Sequence, residues 1–250
     1  MNTSAMTTTA VNAGSSLNRL HALLAVQTLA IILGSINRLG PWTLGYVAAN
    51  EFLRWVDLVN MLIIPLISLL ALYLVKKQLE SNGDAVSINS RRHLALNLIF
   101  IVGLYLLGAS YGDHEVTNYL HARFCADNAT SDLCRIVVFN DDEFSHWVFF
   151  TGFVMVNAAL MFFQVLFPRR GRLSTLDVAL LALNALFIGA GIFANLAFEV
   201  IGLDLVVVAL LTAVALWLWW RNRSQPLIVY YSIAYTLGLL ATTIYKIVNA

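Results

Sequence analysis

Between Asp113 and His146 the chain gathers three of its five histidines and seven of its fourteen acids. His114, Asn118 and His121 stand at i, i+4 and i+7, one face of a helix if the helix runs on beyond the preceding apolar stretch. Asp142 and His146 stand at i and i+4, again one face, with Glu143 one step round. Imidazoles and carboxylates together suit Zn, Fe, Mn or Cu, and a carboxylate can also orient a ligating histidine through its second nitrogen. The minimal metal set is His114, His121 and His146, with Asp142 as fourth ligand or as orienting partner. Glu115 or Glu143 would then be the base that activates a bound water. Further polar lining is offered by Glu51, Arg54 and Asp57, and by Asn195 and Glu199 one turn apart. A structural role fits the same residues. Asn140, Asp141, Asp142 and Glu143 are the cap and first-turn acids that a helix start favours, and neither HExxH nor CxxC occurs.

The elements that must position these groups are apolar. Of 250 residues 60% are hydrophobic and 12% charged, with a mean hydropathy of +0.77. Soluble domains carry about a quarter charged residues. Lipid is the solvent that removes the conflict, and the bilayer is the expected partner. A net charge of +1 without a basic block excludes nucleic acid as an evident one. Crossing the hydrocarbon core takes about 20 mainly apolar residues. Seven stretches qualify: 18–38, 54–75, 93–113, 145–167, 175–198, 201–220 and 226–248. The expected fold is all-α, one seven-helix transmembrane domain over 18–250, preceded by a disordered tail at 1–17. Pro65 should kink the second span.

Orientation follows the basic residues. With the N-terminus inside, ten Lys and Arg fall on the inner side and five on the outer; an odd number of spans then puts the C-terminus outside. Eleven of the fourteen acids sit at outer ends or loops, so the polar chemistry concentrates on that face. Cys125 and Cys134, the sole cysteines, share the outer loop 114–144, where an oxidising compartment favours a disulfide over free thiols. Asn128-Ala-Thr130 is a glycosylation tripeptide inside the ring they close. Asn60, Asn97, Asn157, Asn184 and Asn195 lie in apolar surroundings, where amides usually cross-link helices. His21 and His93, near inner ends, are expected to face water. The expected location is a cell membrane of the bacterial inner-membrane kind.

Two known architectures invite comparison and fail on residues. Seven spans with a lysine in the last resemble a microbial rhodopsin, but Lys246 is four residues from the C-terminus rather than mid-span. Seven-span hydrolases of the alkaline-ceramidase and adiponectin-receptor kind carry His-x-x-x-His in the final span; 226–248 contains no histidine. Three functions stay open. One is a metal-dependent hydrolase or oxidoreductase acting from the outer face on a lipid or apolar substrate. The second is a transporter or a ligand- or proton-sensing protein. The third is a structural or assembly subunit whose disulfide-closed loop docks a partner.

Overall fold

The computed structural model describes residues 3–39, 43–126, 130–198 and 202–249. Seven helices among them are long and apolar enough to cross a membrane. They are α1 (Thr3–Leu39), α2 (Trp55–Glu80), α3 (Arg91–Cys125), α4 (Asp132–Leu166), α5 (Thr175–Phe198), α6 (Leu203–Arg221) and α7 (Pro226–Val248). Side chains are described from Leu17 onward in α1, whose apolar window is Leu17–Asn37. The helix begins at Thr3, within the tail expected to be disordered; no proline interrupts that stretch.

Local chemistry sets the helix starts. The Ser90 hydroxyl accepts the His93 amide at 3.2 Å to open α3, and the Ser131 hydroxyl accepts the Cys134 amide at 3.2 Å to open α4. Ser174 and Asp177 form a reciprocal cap on α5: the Ser174 amide donates to Asp177 Oδ2 at 2.8 Å, and the Asp177 amide to Ser174 Oγ at 3.1 Å. Proline opens α7 at its first position, where its missing N–H costs nothing.

Three turns among the described residues are π-helical: Val59–Ile63 in α2, His121–Cys125 in α3 and Asn140–Phe144 in α4. Each replaces i→i+4 bonding by i→i+5, so it holds one extra residue per turn. The first lies just before Pro65, whose ring and missing N–H disturb the preceding turn. The wider turn stands immediately before Pro65, where a kink is expected.

Spans three and four are longer than expected. Helix α3 runs on to Cys125 and α4 starts at Asp132, so most of 114–144, expected to be a loop, is helical. The reason is local. Val137 packs on Cys125, Cys134 and Leu120, which holds the added turns of α3 and α4 together. The Cys125–Cys134 disulfide forms, with Cα atoms 5.3 Å apart.

Helices α3 and α4 lie backbone to backbone at one glycine pair. A Cβ on Gly152 would stand 2.8 Å from both the Gly103 carbonyl oxygen and the Leu107 nitrogen. A Cβ on Gly103 would stand 2.8 Å from Val156 Cγ2. Only the absence of side chains permits this approach. A second close contact joins α5 and α7, where a Cβ on Gly238 would meet Ile192 Cγ2 at 2.6 Å. The core between helices is aromatic and aliphatic: Phe100, Leu160, Phe163, Ala185, Leu227 and Tyr235 are fully buried. Outward positions such as Leu66, Leu98, Ile101, Leu210 and Ile244 are apolar and exposed, an arrangement suited to lipid rather than water.

The end of the bundle opposite Asp141 carries its own polar network. The Glu80 carboxylate meets Lys76 at 2.7 Å, Lys77 at 3.0 Å and His93 Nε2 at 2.7 Å. Phe163 and Phe167 flank the His93 ring edge-on. His21 is buried and pairs with Asp177 at 3.2 Å. Both histidines, expected to face water, therefore tie helices together, because a partner carboxylate lies within reach on a neighbouring element.

Candidate metal centre and cavity

His114 lies eleven residues along α3 from Gly103, and Asp141 lies eleven residues back along α4 from Gly152. In antiparallel helices these equal rises, ~16 Å each, bring both residues to one level above the glycine contact. The π turn at 140–144 then decides which acid faces inward. In a regular α-helix Asp142 would share the face of His146; with one residue added to the turn, Asp141 takes that place. Asp141 is accordingly buried at 1%, while the Asp142 side chain is 57% exposed.

The Asp141 carboxylate holds two imidazoles, one on each oxygen. His114 Nδ1 lies 3.1 Å from Oδ1 and His121 Nδ1 2.8 Å from Oδ2. His114 Nδ1 is also 3.4 Å from the Asp141 carbonyl oxygen, which accepts the Ser145 hydroxyl at 2.7 Å. Asp142 Oδ1 stands 4.0 Å from His121 Nδ1. The ring of His146 packs edge-on against that of His114, centroids 5.1 Å apart.

His121, Asp141 and Asp142 form a group in which one ligand atom from each lies within 4.8 Å of the others. The tetrahedral edge for ligands at ~2.1 Å from a metal is ~3.4 Å. The separations of 2.8 and 4.0 Å from His121 Nδ1 bracket that edge. Asp141 was read from sequence as part of a helix start, so it is the site residue that sequence reasoning missed. Its spacing of five from His146 carries the signal, legible only if the turn is π.

Other expected site residues separate into two groups. His114, Glu115, His146 and Asn195 line a cavity of about 430 Å³ among α1 to α5, together with Asn60 and Ser110, which sequence reasoning had not placed at the site. Glu115 is 2% exposed, within the wall. Glu143 is exposed and lines no part of this cavity, and Asn118 is half-buried outside it.

Glu51, Arg54 and Asp57, expected as polar lining, serve instead to fix the α1–α2 connection. Arg54 grips Asp57 through both nitrogens, Nη2 to Oδ1 at 2.7 Å and Nε to Oδ2 at 2.8 Å. The Arg54 guanidinium lies over the Tyr119 ring at 5.0 Å. The Glu51 carbonyl accepts both the Tyr119 hydroxyl and the Arg123 guanidinium. Arg54 and Asp57, three residues apart, satisfy each other, and neither lines the cavity. Glu199 and the Asn128 tripeptide lie outside the described residues.

Two of the five asparagines in apolar surroundings cross-link helices. Asn37 Nδ2 donates to Asn60 Oδ1 at 2.8 Å between α1 and α2, and the Thr28 hydroxyl donates to Asn184 Oδ1 at 2.8 Å between α1 and α5. Asn97 and Asn157 bond within their own helices.

No protein-family model matches this chain, and neither a curated protein nor a solved structure matches it.

Proposed function

We propose that the chain is a multi-pass membrane enzyme that works with a metal ion bound by His121, Asp141 and Asp142. The convergence of those three residues beside a cavity walled by His114, Glu115 and His146 carries the reading. Three protein ligands leave a coordination position open, as catalytic sites do. One imidazole and two carboxylates favour Zn, Mn or Fe over Cu. His114, on the second oxygen of Asp141, orients that ligand from outside. When bound, the metal would polarise a substrate oxygen or lower the pKa of a water. Glu115 faces the cavity and is the acid–base group of the site; Glu143 does not share that role. The substrate is a lipid or other apolar molecule, processed by hydrolysis or oxidation. The excess of basic residues at the opposite ends of the helices supports a membrane orientation with the N-terminus inside, the C-terminus outside and the site outward, in a cell membrane of the bacterial inner-membrane kind.

Elemental analysis of the purified chain tests the metal directly. Zn, Mn or Fe at one ion per chain, lost in His121→Ala with helix content unchanged, is the expected result. Substoichiometric metal, with no thermal shift on adding Zn²⁺, Mn²⁺ or Fe²⁺, would overturn the reading.

One observation favours a second reading, a proton-coupled carrier. Titratable clusters sit at both ends of the bundle, Asp141 with two histidines at one and Glu80 with His93 at the other. Proteoliposomes that show no proton flux under an imposed pH gradient would remove it.

A further inference from the structure

A second chamber adjoins the 430 Å³ cavity. Ile31, Ser68, Tyr111, Phe149, Phe150 and Asn195 form a shared wall with a second chamber of about 280 Å³ that lies deeper in the bundle. The two chambers differ in chemistry. The first presents His114, Glu115, His146, Asn60 and Ser110, whereas the second is lined by Leu24, Leu72, Val75, Leu107, Ile192 and Val208.

Gln27, Ser68 and Asn157 in the deeper wall are already engaged. Gln27 Nε2 donates to the Ser68 carbonyl at 2.6 Å, and the Ser68 hydroxyl donates to Gln27 Oε1 at 2.7 Å. Asn157 Nδ2 donates to the Phe153 carbonyl at 2.7 Å. A ligand in that chamber therefore meets a surface that offers mainly burial. Tyr230 and Tyr231 stand at its far end, packed against each other with ring centroids 5.0 Å apart. From His146, in the wall of the first chamber, to Asn157, in that of the second, the rise along α4 is ~16 Å.

We infer that the two adjoining chambers open into each other and bind one long-chain amphiphile, its polar head beside His114, Glu115 and His146 and its single hydrocarbon tail in the chamber below. A head rich in oxygen matches the imidazoles and amides. A mainly apolar chamber of about 280 Å³ takes one chain rather than two. The inference rests on the proposed enzyme for the chemistry done at the head, but the binding itself needs only the cavity.

Gly191 gives the means to test it. A Cβ there would meet Ile31 Cγ2 at 3.8 Å, ordinary contact, so alanine fits and a larger side chain enters the deeper chamber. The purified full-length chain would be titrated with a homologous series of radiolabelled straight-chain carboxylates, short to long, with and without chelator. Affinity is expected to rise with chain length and then level off where the tail reaches the end of the chamber. Gly191→Phe should keep short-chain binding and lose at least tenfold in affinity for the longest chains; Gly191→Ala should follow the wild type. Affinity independent of chain length, or equal long-chain binding by Gly191→Phe and Gly191→Ala, overturns the inference. The two proposals separate cleanly. Chain-length-dependent binding by a chain that takes up no metal upholds the cavity and removes the enzyme, whereas stoichiometric metal without such binding does the reverse.

Discussion

Asp141 holds the site together because, among the described residues, it is the acid that touches both His114 and His121, and it does so while buried. An ionised carboxylate only accepts hydrogen bonds, so His121 Nδ1 donates to Oδ2 when no metal is present, while His114 Nδ1 reaches the Asp141 backbone carbonyl. Replacing Asp141 by Asn keeps the size and removes the charge. Metal affinity of Asp141→Asn should fall about 10- to 100-fold or more, measured by calorimetric titration. Glu143→Gln, at an exposed position outside the cavity, should bind metal as the wild type does. Equal losses in both variants would mean that net charge, not geometry, governs binding. Arg54 and Asp57 form the contrasting pair, a structural one. Asp57→Ala strands a guanidinium that is only 17% exposed and should cost about 2 to 3 kcal/mol in chemical denaturation, somewhat below a fully buried pair.

The site depends on the register of two helices as much as on its side chains. Deleting Glu143 would turn the π turn Asn140–Phe144 into a regular one and rotate everything before it by ~100° relative to the rest of α4. That deletion should abolish metal binding with helix content retained by circular dichroism. The harmless Glu143→Gln and the damaging deletion together would separate register from side chain. Lower on the same pair of helices, Gly152→Leu would push α4 away from the α3 backbone. We expect destabilisation of about 1 to 3 kcal/mol or more, with weakened metal binding although the substituted position is eleven residues from Asp141. Unchanged thermal stability in Gly152→Leu would contradict the close contact.

At the scale of the whole molecule, Cys125–Cys134 joins the ends of α3 and α4. Exchanging both cysteines for serine should lower stability by about 2 to 3 kcal/mol, as expected for so short a ring, and should raise the Kd for metal. Denaturation and metal titration of the double variant in parallel would check both. Much of this architecture could be read from the chain alone. Seven helices follow from seven long apolar stretches, because an unbroken apolar run of that length has few other solutions. The disulfide follows from two cysteines in one polar connection, and the common level of His114 and His146 follows from counting helical rise on antiparallel spans. Several features needed the tertiary structure. Whether Arg54 and Asp57 face the cavity or each other is a contest between local pairing and distant packing that sequence spacing does not decide. The choice of Asp141 over Asp142 turns on one added residue in a helical turn, a distortion with no composition signature of its own. The two-chamber cavity is made by side chains from separate helices and exists only once they pack. Sequence thus determined which groups reach the polar end of the bundle, since chain length and hydropathy fix depth. Rotation about each helix axis, which packing and π turns control, decided which of them meet.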